Sequence, residues 1–334
     1  MTRGTVSITA LDGVGLDLDQ MARDVKAGLS ADPKDLSPWP KYFYDAEGSR
    51  LFEEITELPE YYQTRTEISI LREKAREIVE VSRCRELVEL GSGSASKTRA
   101  LLDAMLTIPD GRTVRYVPLD VSESALRESG EMLLAEYPDL EVRGYIGDFD
   151  RSLGSLLDGQ VDGEESGGRL VVFLGGTIGN FTPEKRLSFL KEIRASLRPG
   201  DHILIGVDLV KDREILEAAY DDAAGVTARF NKNMLIVLNE RLGARFDPDL
   251  FGHRAVYNDA ETRIEMWLDS RVEQEVYVPG LDVSFEEREG MRTEFSAKFT
   301  TESASRMLDE AGLEALNFYT DDRTLFGLIL GKAS

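Results

Sequence analysis

The stretch ELVELGSGSASKT (86–98) decides the architecture. A strand over ELVEL (86–90) runs into a turn carrying Gly91 and Gly93, and a helix is predicted from about Ser96 to Leu106. Such a strand–turn–helix junction offers bare backbone to a phosphate or nucleoside ligand. The third glycine of the G-x-G-x-x-G fingerprint is missing, so the turn alone fits a plain strand–helix connection equally well. Outward from it the alternation repeats. On the N-terminal side, T64-R-T-E67 reads as a capping box, followed by Ile68, Leu71, Ala75, Ile78 and Val79 at helical spacing. On the C-terminal side come a strand over 113–119, a helix over 123–136 and strands over 140–146 and 169–175. A helix over 183–197 follows, with Thr182 as N-cap and Pro183 at its first position, and then a strand over 202–209. Five strands alternating with helices predict a parallel, doubly wound sheet.

After Val210 the rhythm changes. A helix ends at AYDDAAG (219–225), and β-like segments follow at MLIVL (234–238), 262–269, 272–278 and 291–299. A helix over 301–312 and strands over 313–320 and 324–332 close the chain as a terminal helix and hairpin, which can add antiparallel strands to the earlier sheet. Residues 1–63 read as irregular, with short helical patches and an aromatic cluster in KYFYD (41–45) and PEYY (59–62). The clearest loop is GQVDGEESGGR (159–169). Two domains are therefore expected: 64–209 plus 297–334, and 15–63 plus 210–296.

Composition narrows the partners. Among 334 residues, 40 Lys+Arg stand against 62 Asp+Glu, a net charge of −22, which disfavours nucleic acid and anionic membrane surfaces. Cys84 is the single cysteine, and the two histidines, His202 and His253, lie far apart, so neither a disulfide nor a zinc site is expected. No apolar run is long enough to span a bilayer and the N-terminus lacks a signal-peptide core, so a cytoplasmic protein without an obligate protein partner is expected.

Three features sit at the carboxyl edges of successive strands, where ligands of open α/β sheets bind: the glycine turn, Asp120 in LDVS, and Asp148 with Phe149 in GDF. A carboxylate there can accept ribose hydroxyls, and an acceptor beside an aromatic ring suits adenine. NAD and S-adenosylmethionine both fit. The degenerate glycine turn favours the second, which has no pyrophosphate, as does the terminal hairpin, the usual ending of class I methyltransferases. Lys97 is then a candidate for the cofactor's methionine carboxylate.

These residues, with YDAEGSRLFEEITELPEYYQTRTE (44–67), GTIGNF (176–181), AYDDAAGVTARFN (219–231), RIEMWL (263–268) and TEFSAKF (293–299), resemble the histidine Nα-methyltransferases of ergothioneine biosynthesis. The likeness runs from about Lys41 to near the C-terminus. It implies a class I methyltransferase Rossmann-like sheet binding S-adenosylmethionine, with a second, smaller α+β substrate domain, converting L-histidine to its trimethylammonium betaine, hercynine. By the same resemblance Tyr61, Gly91, Lys97, Asp120, Asp148, Phe149 and Thr177 contact the cofactor. Tyr44, Tyr61, Asn180 and Tyr220 hold the amino acid's carboxylate and amine, with Tyr44, Asn180 and Tyr220 nearest the chemistry and Phe52 beside them. Glu294 and Ser296 read the imidazole, and Met266 shapes its pocket. Gly176 departs from the family pattern, which places a serine there.

Read without the resemblance, several of these positions are ordinary. Glu294 and Ser296 share one face of a predicted strand and Phe295, Ala297 and Phe299 the other, as in any half-exposed strand. Met266 shares an alternating face with Ile264 and Leu268, Tyr220 ends an apolar helix stripe, and Asn180 suits a turn. Methylation of another amino acid's amine, such as tryptophan's, an NAD-dependent oxidoreductase and a non-catalytic S-adenosylmethionine-binding protein are the competing readings.

Overall fold

The computed structural model describes residues 4–11, 17–93, 95–108, 113–148, 153–154, 156 and 168–333. Its larger sheet contains β1 (Thr5–Ala10), β3 (Cys84–Leu90), β4 (Arg115–Asp120), β5 (Glu141–Ile146), β6 (Gly168–Phe173), β7 (His202–Asp208), β13 (Leu313–Thr320) and β14 (Phe326–Ala333). Their order is β1-β5-β4-β3-β6-β7-β14-β13. Only β14 runs against its neighbours β7 and β13. The direction of winding reverses between β3 and β6, which leaves a crevice at the carboxyl ends of those strands.

Every residue of β3 and β7 is buried. Val88 and Leu90 enter one core and Leu87 enters another, because successive side chains of a strand point to opposite faces. Helices α3 (Tyr62–Ser82) and α4 (Arg99–Leu106) contribute Ile70, Ile78 and Leu101 to the core with Leu87. Helices α6 (Pro183–Ser196) and α9 (Thr301–Glu310) contribute Leu190 and Leu308 to the other. Both faces are thus covered, which explains why the strands read as near-continuous apolar runs. Helix α5 (Glu123–Glu136) joins β4 to β5.

The smaller sheet has the order β2-β12-β9-β8, from β2 (Lys34–Asp35), β8 (Phe251–Asn258), β9 (Arg263–Ser270) and β12 (Gly290–Ala297). It packs with α1 (Leu18–Leu29), α2 (Ala46–Thr56) and α8 (Val226–Leu242) around Val25, Phe43, Leu51, Phe230, Met234, Met266 and Met291. A hairpin of β10 (Gln274–Val278) and β11 (Leu281–Phe285) adds Val276 and Phe285 to that core. The two sheets meet where the chain beyond β12 runs beside the end of β7. There Phe299 N–H donates to Asp208 O at 2.8 Å and Val210 N–H to Phe299 O at 2.9 Å.

Several sequence expectations change. MLIVL (234–238) lies inside α8: Met234, Leu235 and Leu238 are buried on one helical stripe, a pattern that a five-residue apolar run cannot distinguish from a strand. Strands β1, β8 and β11 were not anticipated; β1 extends the larger sheet beside β5. The capping box at Thr64–Glu67 does not form, because α3 begins at Tyr62 and Glu67 is a fully buried residue of its body. Most of the loop 159–169 lies outside the described residues.

Candidate active site

At the carboxyl edge of the larger sheet, Asp120 closes the turn after β3. Its carboxylate accepts from Gly93 N–H and Ser122 N–H, each at 2.9 Å, and Gly91 N–H donates to Leu119 O at 2.8 Å. Ser92 Oγ is buried in this turn without a hydrogen-bond partner among the described residues. An orphaned hydroxyl beside a half-buried carboxylate is what a polyhydroxylated ligand would satisfy, so these residues fit a nucleoside cofactor.

Glu67 organises the next loop. Its carboxylate accepts from Gly175 N–H at 2.8 and 2.9 Å and pairs with Lys97 Nζ at 2.7 Å. Lys97, the candidate for the cofactor's methionine carboxylate, is anchored by Glu67 at the cofactor edge. Thr177 Oγ1 donates to Leu174 O at 3.0 Å, which shapes the same loop. Asp148 accepts from Lys41 Nζ at 3.0 Å, tying the segment before α2 to the end of β5. Phe149 lies outside the described residues.

Aromatic rings form one wall of the cleft. Tyr44 stands edge-on to Phe52 and to Phe230, both at 5.7 Å between centroids. Phe52 meets Tyr61 at 6.2 Å, and Tyr61 meets Tyr220 at 6.4 Å. Tyr44 remains 43% exposed, whereas Tyr61 and Phe230 are buried. Burial pushes the Tyr61 hydroxyl above its ordinary range, reinforced by neighbours that include Tyr220 and Glu294, so it stays protonated.

The opposite wall comes from β12 and the turn after β6. Residues Thr177–Asn180 form a short 3-10 turn pressed onto β12. A side chain at Gly179 would meet Ala297 O at 2.8 Å, so only glycine permits this approach. Asn180 Nδ2 thereby reaches Glu294 Oε1 at 2.9 Å and Phe295 O at 3.0 Å. Glu294 is pushed up to about 7 by burial, opposed by the Asn180 hydrogen bond and by Lys298. Met266 stands across from Glu294 in the β9–β12 register, 2% exposed, and belongs to the smaller sheet's core. Ser296 Oγ accepts from Lys298 Nζ at 2.9 Å.

Three groups escaped the sequence reading. Lys298 is wholly buried and bonds Ser296, Tyr220 and Asp208 together. Phe230 lay within a quoted motif with no role given. His253 bridges Asn231 Nδ2, at 2.9 Å, and the Tyr220 carbonyl, at 2.8 Å. Asn231 supplies the hydrogen to Nδ1, so Nε2–H donates to Tyr220 and secures the end of α7 (Arg213–Tyr220). Strand alternation puts Lys298 on the face of Glu294 and Ser296, but no spacing announces its contacts with Tyr220 and Asp208 or those of Phe230 and His253.

A parallel sheet ending in an antiparallel hairpin, with an acidic residue closing a glycine turn at the switch point, defines a class I S-adenosylmethionine-dependent methyltransferase. The chain belongs to the family described as histidine-specific, SAM-dependent methyltransferases, whose pattern matches residues 21–333. It is 48% identical over 332 residues to the histidine N-alpha-methyltransferase of Mycolicibacterium smegmatis, covering 99% of each chain. It is 45% identical to the enzyme of that name from Mycobacterium tuberculosis, over 97% of this chain and 98% of that one. Ergothioneine biosynthesis protein 1 of Schizosaccharomyces pombe is 33% identical over 65% of this chain and 28% of its own. Among the described residues no helix is long and apolar enough to cross a membrane.

Proposed function

We propose that this chain methylates the α-amino nitrogen of L-histidine up to three times, releasing hercynine. In this reading 64–209 with 297–334 hold the cofactor, and 15–63 with 210–296 supply the substrate side. The observation that carries it is the Asn180–Glu294 hydrogen bond, which fixes a cofactor-edge amide against a buried carboxylate suited to a ring N–H. S-Adenosylmethionine, when bound, supplies an electrophilic methyl group and a nearby positive charge.

The protein's own contribution is orientation. Both hydrogens of the Asn180 amide are taken by acceptors, so its Oδ1 is left to accept from the substrate amine and aim the lone pair. Tyr44 and Tyr61 offer hydroxyls to the amino acid backbone, and Tyr220 offers a third. Their rings, with Phe52, give a methylated ammonium an aromatic surface once its N–H groups are gone. Glu294 accepts the imidazole N–H, Ser296 donates to the second ring nitrogen, and Met266 bounds the pocket.

Asp120, Gly91, Thr177 and Lys97 serve the cofactor side, with Asp148 toward the adenine. The substrates are L-histidine and its mono- and dimethylated forms. A reducing cytoplasm suits the buried Cys84, whose thiol is pushed up to about 11 by burial. Incubating the protein with S-adenosylmethionine and each of twenty amino acids, with product masses read out, tests the proposal. Histidine should gain up to three methyl groups. Preferential turnover of tryptophan, or none of any free amino acid, would overturn it.

A further inference from the structure

Lys298 lies beside the substrate-side residues Ser296 and Tyr220 and had no role in the sequence reading. Its ammonium carries three hydrogens and no lone pair. Their partners are Asp208 Oδ2 at 2.8 Å, Ser296 Oγ at 2.9 Å and Tyr220 Oη at 3.1 Å. The side chain is completely buried. Neutralising Asp208 does not require it, since Lys211 Nζ already lies 2.6 Å from that carboxylate and Tyr62 Oη donates to it at 2.8 Å. With Asp208 held by these two donors as well, the remaining contacts of Lys298 fall on Ser296 and Tyr220, and its charge also acts on Glu294.

A hydroxyl that accepts from a cation turns its own hydrogen away from it. We propose that Lys298 is a positioning residue that makes Ser296 and Tyr220 donors toward the substrate. Resting on the histidine reading above, the pocket then presents an acceptor at Glu294 and a donor at Ser296. That pair matches a neutral imidazole, with one N–H and one bare nitrogen. An imidazolium is disfavoured there, because its charge would lie beside the Lys298 ammonium that already donates to Ser296. The Tyr220 donor, with the Lys298 ammonium behind it, matches the amino acid's carboxylate. One side chain thereby sets the polarity of both ends of the substrate site.

The test is a double-mutant cycle on the full-length protein, reading the Kd of histidine by calorimetry with saturating S-adenosylhomocysteine. Lys298→Met should weaken histidine by roughly tenfold to a hundredfold, since charge-assisted partners are lost. The affinity for S-adenosylhomocysteine should stay unchanged. In a Ser296→Ala background the same replacement should cost at least about fivefold less, as coupled residues do. A Tyr220→Phe background should show a similar saving. Lys298→Gln, which keeps a shorter N–H donor, serves in the same cycle if the methionine variant does not fold. Equal losses in all backgrounds, or a parallel loss of S-adenosylhomocysteine binding, would make Lys298 structural and overturn the proposal alone. Failure of the unaltered protein to bind histidine would overturn the functional reading and this proposal with it.

Discussion

Asn180 Nδ2 spends its two hydrogens on Glu294 Oε1 and the Phe295 carbonyl, 2.9 and 3.0 Å away, and so joins the turn after β6 to β12. Both partners are acceptors, which fixes the amide's orientation without ambiguity. On the proposed function, the residue that orients the amine is held by the residue that reads the ring. Asn180→Ala should lower kcat/KM for histidine by roughly a hundredfold, the scale on which misplacement of reacting groups acts. Its affinity for S-adenosylhomocysteine should hold. Loss of both in parallel would move Asn180 from substrate orientation to loop stability.

Glu294 stores a stability cost that function requires. Folding raises its pKa from 4.5 to about 7 because burial penalises the charged form. The folded state thus holds this proton more tightly than the unfolded chain, so its favourable contribution is complete below the unfolded value. That contribution is lost as pH rises through about 7. Above that range the ionised carboxylate costs on the order of 3 kcal/mol. Glu294→Gln should therefore raise the denaturation midpoint in urea at pH 8 more than at pH 5, while weakening histidine. An equal change at both pH values contradicts the assignment.

Glu67 links the cofactor loops from inside the fold. A Cβ on Gly206 would collide with Glu67 Oε1, so Gly206→Ala must push that carboxylate off Gly175 N–H and Lys97. S-Adenosylhomocysteine should bind about tenfold more weakly to this variant, the scale of one charged hydrogen bond. Glu67→Gln should weaken it less, because an amide oxygen can still accept one of the two donors. Unchanged cofactor affinity in a folded Gly206→Ala protein would show that Lys97 needs no anchor.

Much of this was readable in the chain because strands of the larger sheet are buried on both faces and helices keep their period. The glycine turn and Asp120 fell on the predicted edge for that reason. The smaller sheet was less legible: β8 mixes Gly252, His253 and Arg254 with apolar residues, and MLIVL fits helix or strand equally. Lys298 and Glu67 were invisible since a lysine or glutamate in sequence reads as solvated. Only the meeting of β12 with the end of β7 buries Lys298 beside Asp208. The imidazole and amine roles of Glu294 and Asn180 came from family resemblance, as spacing alone gave a half-exposed strand and a turn.

Selectivity should follow the unpaired-polar penalty. A site built to hydrogen-bond a ring rejects ligands that strand its polar atoms. Glu294→Ala should cost histidine one to two decades in kcat/KM, the equivalent of about 1.5–3 kcal/mol. Tryptophan should lose less or improve, so the ratio between them shrinks. Equal losses for both amino acids would assign Glu294 to the fold.

The most direct test follows the methyl group itself. With methyl-labelled S-adenosylmethionine in more than threefold excess over histidine, NMR of the product should show three equivalent labelled methyl groups correlated to the α-carbon. Label on a ring nitrogen, or none on the amino acid, would contradict the account.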